Sequence, residues 1–216
     1  INPLSGATMS NIFASKHPLV AHKLSRLRSI ETNPKKFREL VRELAALLTY
    51  EATADLSIAP RSVVTPNCEM IGSELQQKIG LVPVLRAGLG MVDGINTLIP
   101  TAKVGHIGLY RDHETLLPMS YYAKFPPNLP RAVVMILDPM LATGGSASAA
   151  IVKVKEAGAK TIKLVCVVGA PEGVKRIETD HPDVAIFISS LDEKLNELGY
   201  IVPGLGDAGD RLFGTK

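Results

Sequence analysis

The chain has 216 residues, 46% hydrophobic and 21% charged, with 18 glycines and 15 prolines, a composition that excludes disordered, collagenous and low-complexity classes. At roughly 100 to 200 residues per domain, this length predicts one domain with its own core. The net charge of +3 is too small for the phosphate-tracking field of a dedicated nucleic-acid binder.

The chain opens on Ile1 and a methionine first appears at position 9, so residues 1–8 read as a tag or flexible extension and 9–216 as the folded domain. The start has neither the basic end nor the apolar centre of a signal peptide, and no apolar run reaches the ~18 residues of a membrane span. A mixed arm with His17 and His22 follows. Asn33-Pro34 then supplies an N-cap and a proline at the first helical position, predicting a helix start. Phe37, Leu40, Val41, Leu44 and Leu48 recur at helical spacing as a core-facing stripe, while Lys35, Lys36, Arg38, Glu39, Arg42 and Glu43 fall mostly on the other, solvated faces.

Cys68 and Cys166 lie far apart and read as small core or near-core residues, not as a disulfide; that usage fits a reducing, cytoplasmic compartment. Apolar runs at Leu81–Leu85, Val104–Leu109, Ala132–Leu137, Ile162–Val168 and Val184–Ile188 predict strands of a parallel sheet covered on both faces. Pro83 counts against the first as a central strand, because it lacks a ladder donor. Ser146–Ala157 reads as a helix ending before Gly158. Residues 132–168 therefore form the clearest βαβ unit, and the fold class is α/β, a central mainly parallel sheet flanked by helices.

One segment carries the chemistry. Val133 to Leu137 reads as a buried strand, Asp138 stands at its carboxyl end, and Pro139-Met140-Leu141-Ala142-Thr143-Gly144-Gly145-Ser146 leads into the helix. Ligands of α/β sheets bind at that end. The glycines allow close backbone approach, Thr143 and Ser146 add hydroxyls, and the helix start offers free N–H groups, so this is a phosphate cradle beside an acid. The bland alternative is a tight turn at Gly144 and Gly145 with Asp138 as a cap. Two commoner nucleotide motifs fail: no Gly-Lys-Ser/Thr tripeptide occurs, and Gly204-x-Gly206-x-x-Gly209 has only seven residues after it, too few for a dinucleotide fold.

A strand, an acid and Ala-Thr-Gly-Gly-Ser entering a helix resembles the loop by which phosphoribosyltransferases hold the 5′-phosphate of phosphoribosyl pyrophosphate (PRPP). Most members with this loop carry two adjacent acids, whereas Leu137-Asp138-Pro139 has one. That version, with Val84-Leu85-Arg86-Ala87-Gly88-Leu89-Gly90-Met91, Leu109-Tyr110-Arg111-Asp112 and the stretch from Tyr200-Ile201-Val202-Pro203 to Asp210, resembles the uracil phosphoribosyltransferase family across essentially all of 9–216.

The resemblance implies transfer of the phosphoribosyl group of PRPP to uracil, giving uridine monophosphate (UMP) and pyrophosphate, with Mg²⁺ accompanying the pyrophosphate. It implies a small C-terminal base-binding hood, an N-terminal helical arm, a homodimer or homotetramer, and GTP as an effector, known in part of the family. PRPP would be held by Arg86, Arg111, Asp138, Pro139, Met140, Leu141, Ala142, Thr143, Gly144, Gly145, Ser146 and Asp207. Uracil falls to Ile201, Gly206, Asp207 and Ala208. Asp207, Asp138 and Arg111 would carry catalysis, with Asp207 reaching Mg²⁺ through water and Asp210 ranked below it as a turn or capping carboxylate. Asp112, His113 and Glu114 read as loop charges. Two other readings stand beside this one: a phosphoribosyltransferase for another nucleobase, and an RNA-binding regulator that senses PRPP or uridine nucleotides.

Overall fold

The computed structural model describes residues 11–111 and 118–215. In chain order the elements are β1 (Ile12–Ala14), α1 (Pro18–Arg28), α2 (Pro34–Ala52), β2 (Ile58–Val64), β3 (Glu69–Leu75), β4 (Lys78–Leu85), α3 (Leu89–Leu98), β5 (Lys103–Val104), β6 (His106–Arg111) and β7 (Pro118–Lys124). After a 3₁₀ turn at Leu129–Arg131 come β8 (Ala132–Leu137), β9 (Met140–Leu141), α4 (Gly145–Glu156), β10 (Thr161–Gly169), α5 (Pro171–Asp180), β11 (Ala185–Leu191), β12 (Lys194–Leu195), β13 (Ile201–Val202) and α6 (Ala208–Phe213).

The main sheet runs β1-β11-β10-β8-β4-β6-β7, with β5 beside β4 and β9 beside β10. Only the β6–β7 pairing is antiparallel among its described pairs. Alternate residues of β8 serve opposite faces: Val133, Met135 and Leu137 join the core under α1, α2, α3 and α6, while Val134 and Ile136 join the core under α4 and α5. Helix α2 starts where the sequence predicts, Asn33 accepting the Lys36 N–H at 2.9 Å, and its stripe from Phe37 to Leu48 is buried.

Two expectations are corrected, those for Pro83 and for Cys68. Pro83 does stand in a central strand, paired with Leu137. Its ring nitrogen has the parity of Leu81, whose carbonyl accepts from Gly105 N–H at 2.8 Å, so the missing donor faces the break between β5 and β6 and the β8 ladder stays intact. The expected N-terminal helical arm is present: the segment with His17 and His22 includes helix α1, which His17 caps by accepting the Leu19 N–H at 3.1 Å. Cys68 is exposed in the turn between β2 and β3, and only Cys166 is buried; that hairpin extends from the fold with few buried residues, so it offers no core to a small thiol. Residues 1–8 fall outside the described residues.

Candidate active site

Parallel strands bring their carboxyl ends to one edge, and β4, β6 and β8 there deliver Arg86, Arg111 and Asp138. The turn after β4 is drawn under Asp138: a Cβ on Gly88 would collide with the Leu137 carbonyl and with Val84 backbone atoms. Only a residue without a side chain allows this approach. The Leu85–Arg86 peptide in this turn is cis.

The loop after β8 is pinned from behind. Asp138 N–H donates to the Val165 carbonyl at 3.2 Å, the Pro139 carbonyl accepts from Val167 and Val168 N–H at 3.1 and 3.0 Å, and Leu141 accepts from Ala170 N–H at 2.9 Å. Pro139 contributes its carbonyl, so its lack of an N–H costs nothing. Gly144 then takes φ +76°, and α4 begins without a side-chain cap. The N–H groups of Gly145, Ser146 and Ala147 are not spent within the helix; the Thr143 hydroxyl reaches the first at 3.5 Å. A cradle of backbone donors at a positive dipole end results.

Beside it, burial pushes the Asp138 carboxyl up to about 6, against which the Met140 N–H pulls it down. Burial and then the nearby Asp138 charge push the Cys166 thiol well up, so this cysteine stays protonated and inert.

Arg86 is exposed, its Nη2 3.7 Å from Asp210 Oδ1 and its guanidinium 5.7 Å from the Phe213 ring centre. Asp207 caps α6, accepting the Asp210 N–H at 2.9 Å. The capping carboxylate is therefore Asp207 and not Asp210, which faces the arginine. Asp207 spends only Oδ1 on the cap and is exposed. Ile201 and Ala208 are buried, while Gly206 is exposed. Arg111 ends β6 opposite Pro118, and Asp112, His113 and Glu114 lie outside the described residues.

Arg28, Asp192 and Arg211, which hold the loop before Gly206, escape sequence reasoning. Arg28 and Asp192 are 164 positions apart, so no local spacing connects them. Among the described residues no three His, Cys, Asp or Glu side chains are grouped to hold a metal. A Mg²⁺ ion that keeps its waters would need few protein ligands here, and Asp207 would be the carboxylate to face it.

A sheet edge with an acid at one strand end and a glycine-built phosphate cradle entering the next helix is the phosphoribosyltransferase arrangement, and the fold agrees. A hypoxanthine-guanine phosphoribosyltransferase from Bacillus anthracis superposes with a TM-score of 0.51 at 11% identity, over 74% of this chain and 80% of that one. The AQ2163 protein of Aquifex aeolicus superposes with a TM-score of 0.90 at 41% identity, over 95% and 99%. A family model described as uracil phosphoribosyltransferase matches residues 14–215. Uracil phosphoribosyltransferases of Acholeplasma laidlawii and a Roseiflexus species are 57% and 58% identical, each over 96% of this chain and all of theirs. The chain belongs to the uracil phosphoribosyltransferase family.

Proposed function

We propose that this chain transfers the phosphoribosyl group of PRPP to uracil, giving UMP and pyrophosphate, a pyrimidine salvage reaction. The observation that carries the reading is the uncapped start of α4 at Gly144–Ser146 beside the half-buried Asp138. The 5′-phosphate sits on the N–H groups of Gly145 to Ala147 and the Thr143 and Ser146 hydroxyls, with Pro139, Met140, Leu141 and Ala142 shaping the cradle. Asp138 in its ionised form accepts the ribose hydroxyls and favours positive charge developing on the ring. Arg86 and Arg111 take pyrophosphate oxygens as they separate from the ribose. The Arg86–Asp210 contact at 3.7 Å is long and exposed, so it yields to a polyanion at little cost.

Mg²⁺, when bound, neutralises the leaving pyrophosphate. Asp207, which spends one oxygen on the α6 cap, would be the residue to hold that ion through a water, and the uracil N1 proton goes to Asp207 or to the medium. Uracil is read by main-chain groups at Ile201 and Gly206–Ala208, a fixed donor and acceptor pattern that rejects cytosine because unmatched buried groups cost ~1 to 3 kcal/mol each.

The reading extends to assembly, location and control. A second copy of the chain covers the β2–β3 hairpin, where Ile58, Val64 and Ile71 are 61%, 81% and 67% exposed, giving a homodimer or homotetramer. A cytoplasmic setting fits two cysteines that remain unpaired, and no described helix is long and apolar enough to cross a membrane. GTP as an effector rests on the family resemblance.

The test is Mg²⁺-dependent release of pyrophosphate from PRPP with uracil, cytosine, adenine, hypoxanthine or orotate offered singly, with Asp138→Asn in parallel. Release with uracil alone, lost in the variant, is the expected outcome. Release with another base instead overturns the base assignment. PRPP binding without release, joined by salt-dependent RNA binding, makes the chain a sensor.

A further inference from the structure

The segment that would read uracil is tied to the opposite end of the chain. Asp192, just after β11, is 7% exposed and accepts four hydrogen bonds: from Arg28 Nη1 at 2.7 Å, Arg28 Nη2 at 2.5 Å, Ser190 Oγ at 2.8 Å and the Gly204 N–H at 2.9 Å. Arg28 Nη1 also donates to the Gly204 carbonyl at 2.5 Å. One ion pair thus holds both polar backbone groups of Gly204. Arg211 of α6 continues the tie, donating to the Leu205 carbonyl at 2.8 Å and to the Ser29 carbonyl at 2.5 Å while lying 4.4 Å from the Phe37 ring centre.

Two consecutive carbonyls of the loop, Gly204 and Leu205, are therefore fixed by guanidinium groups from α1 and α6. Burial alone would raise the Asp192 carboxyl, but the bonds from Arg28, Ser190 and Gly204 outweigh it and hold it below the usual carboxylate range. It is an anion gripped by a planar fork. Burying such a charge is costly, and its placement at the one loop expected to read a base through its main chain explains the arrangement. A main-chain reader has no rotamer with which to adjust, so its donors and acceptors are only as well placed as the peptides before them.

The geometry points to Arg28 and Asp192 as positioning residues for base recognition. They set the direction of the Gly204 and Leu205 peptides, and through them that of Gly206, Asp207 and Ala208 against the edge of the pyrimidine. The N-terminal helix α1 thereby becomes part of the base specificity of the site. This inference rests on uracil being the acceptor, and its test separates the two claims.

The experiment compares wild type, Arg28→Met, Arg28→Lys, Asp192→Asn and Lys163→Met in the full chain. KM for uracil, KM for PRPP, the preference for uracil over cytosine and the melting temperature are read for each. Lys163→Met is the structural control: it removes a buried lysine that pairs with the exposed Asp55 and donates at 2.7 Å to the Ala52 carbonyl near the amino end of β10, away from the ligand edge.

Arg28→Met and Asp192→Asn are expected to raise KM for uracil about 10- to 100-fold and to erode the preference over cytosine, with a rise in KM for PRPP about tenfold smaller, since only Asp207 is shared with that substrate. Arg28→Lys, which keeps the charge and loses the fork, falls between. Lys163→Met lowers the melting temperature and leaves KM for uracil unchanged. Unchanged uracil KM and base preference in folded Arg28→Lys and Asp192→Asn would overturn the inference even where Arg28→Met does not fold. A parallel rise of both KM values would also overturn it, since that marks general loosening. A wild type inert toward uracil would instead remove the functional reading beneath it.

Discussion

Asp138 shows how one residue trades stability for chemistry. Its carboxyl stands at about 6 in the folded chain against an ordinary 3.8, so the native state favours the protonated form. That contribution is complete below pH 3.8 and is lost as the pH rises through about 6. Asp138→Asn does not ionise, so its stability relative to wild type should climb across that window by up to about 3 kcal/mol. Urea unfolding of both proteins at acidic and mildly alkaline pH measures it, and a constant difference would show that Asp138 is not desolvated. The same variant should lose activity, and the wild-type kcat/KM for PRPP should fall on the acid side with an apparent pKa of about 6. Asp207→Asn complements it. Asparagine keeps the oxygen that caps α6, so the melting temperature should hold while kcat falls about 100-fold or more if the charge assists proton removal. Near-normal turnover would leave Asp207 as a cap only. Gly144→Ala should weaken PRPP binding and cost about 1 to 2 kcal/mol, because φ is +76° and a Cβ there would lie 2.9 Å from the Gly173 carbonyl. Asp138 and Gly144 are legible in the sequence because their meaning is local, a strand end and a turn. Arg28 and Asp192 acquire theirs only from partners far along the chain.

At the scale of elements, legibility follows burial. The strands β8, β10 and β11 and the helix α2 announce themselves, since each buries a run or a stripe whose period shows in the sequence. The start of α2 depends on one hydrogen bond from Lys36 N–H to Asn33. Asn33→Ala should therefore cost about 1 kcal/mol with unchanged KM values, as thermal melts and kinetics would show; a larger loss would place Asn33 in more than a cap. The β2–β3 hairpin stays hidden because nearly all its residues are exposed on both faces, so no alternation separates an inside from an outside. Helix α1 does space Val20, Leu24 and Leu27 toward the core, but the interleaved charged and histidine residues obscure so short a stripe. Pro83 misleads for a different reason: a missing donor is harmful only on a side where a partner waits, and the break between β5 and β6 becomes visible only once the sheet is assembled.

At the scale of the molecule, β4, β6 and β8 bring Arg86, Arg111 and Asp138 to one end of the sheet, and Arg28, Asp192 and Arg211 tie α1 and α6 to the loop at Gly204 and Leu205. The hairpin leaves Ile58, Val64 and Ile71 largely exposed. Val64→Glu combined with Ile71→Glu should shift the wild-type assembly to monomers in analytical ultracentrifugation, with the fold retained; an unchanged assembly would move the contact elsewhere. The proposed function joins a phosphate cradle that would take PRPP to a main-chain loop that would accept uracil and refuse cytosine. Its most direct measurement offers equimolar uracil and cytosine with limiting PRPP and Mg²⁺, and identifies the nucleotide formed by mass spectrometry. The expected product is UMP with no detectable cytidine monophosphate. Comparable amounts of both nucleotides would contradict main-chain readout, and no nucleotide at all would contradict the transfer reaction itself.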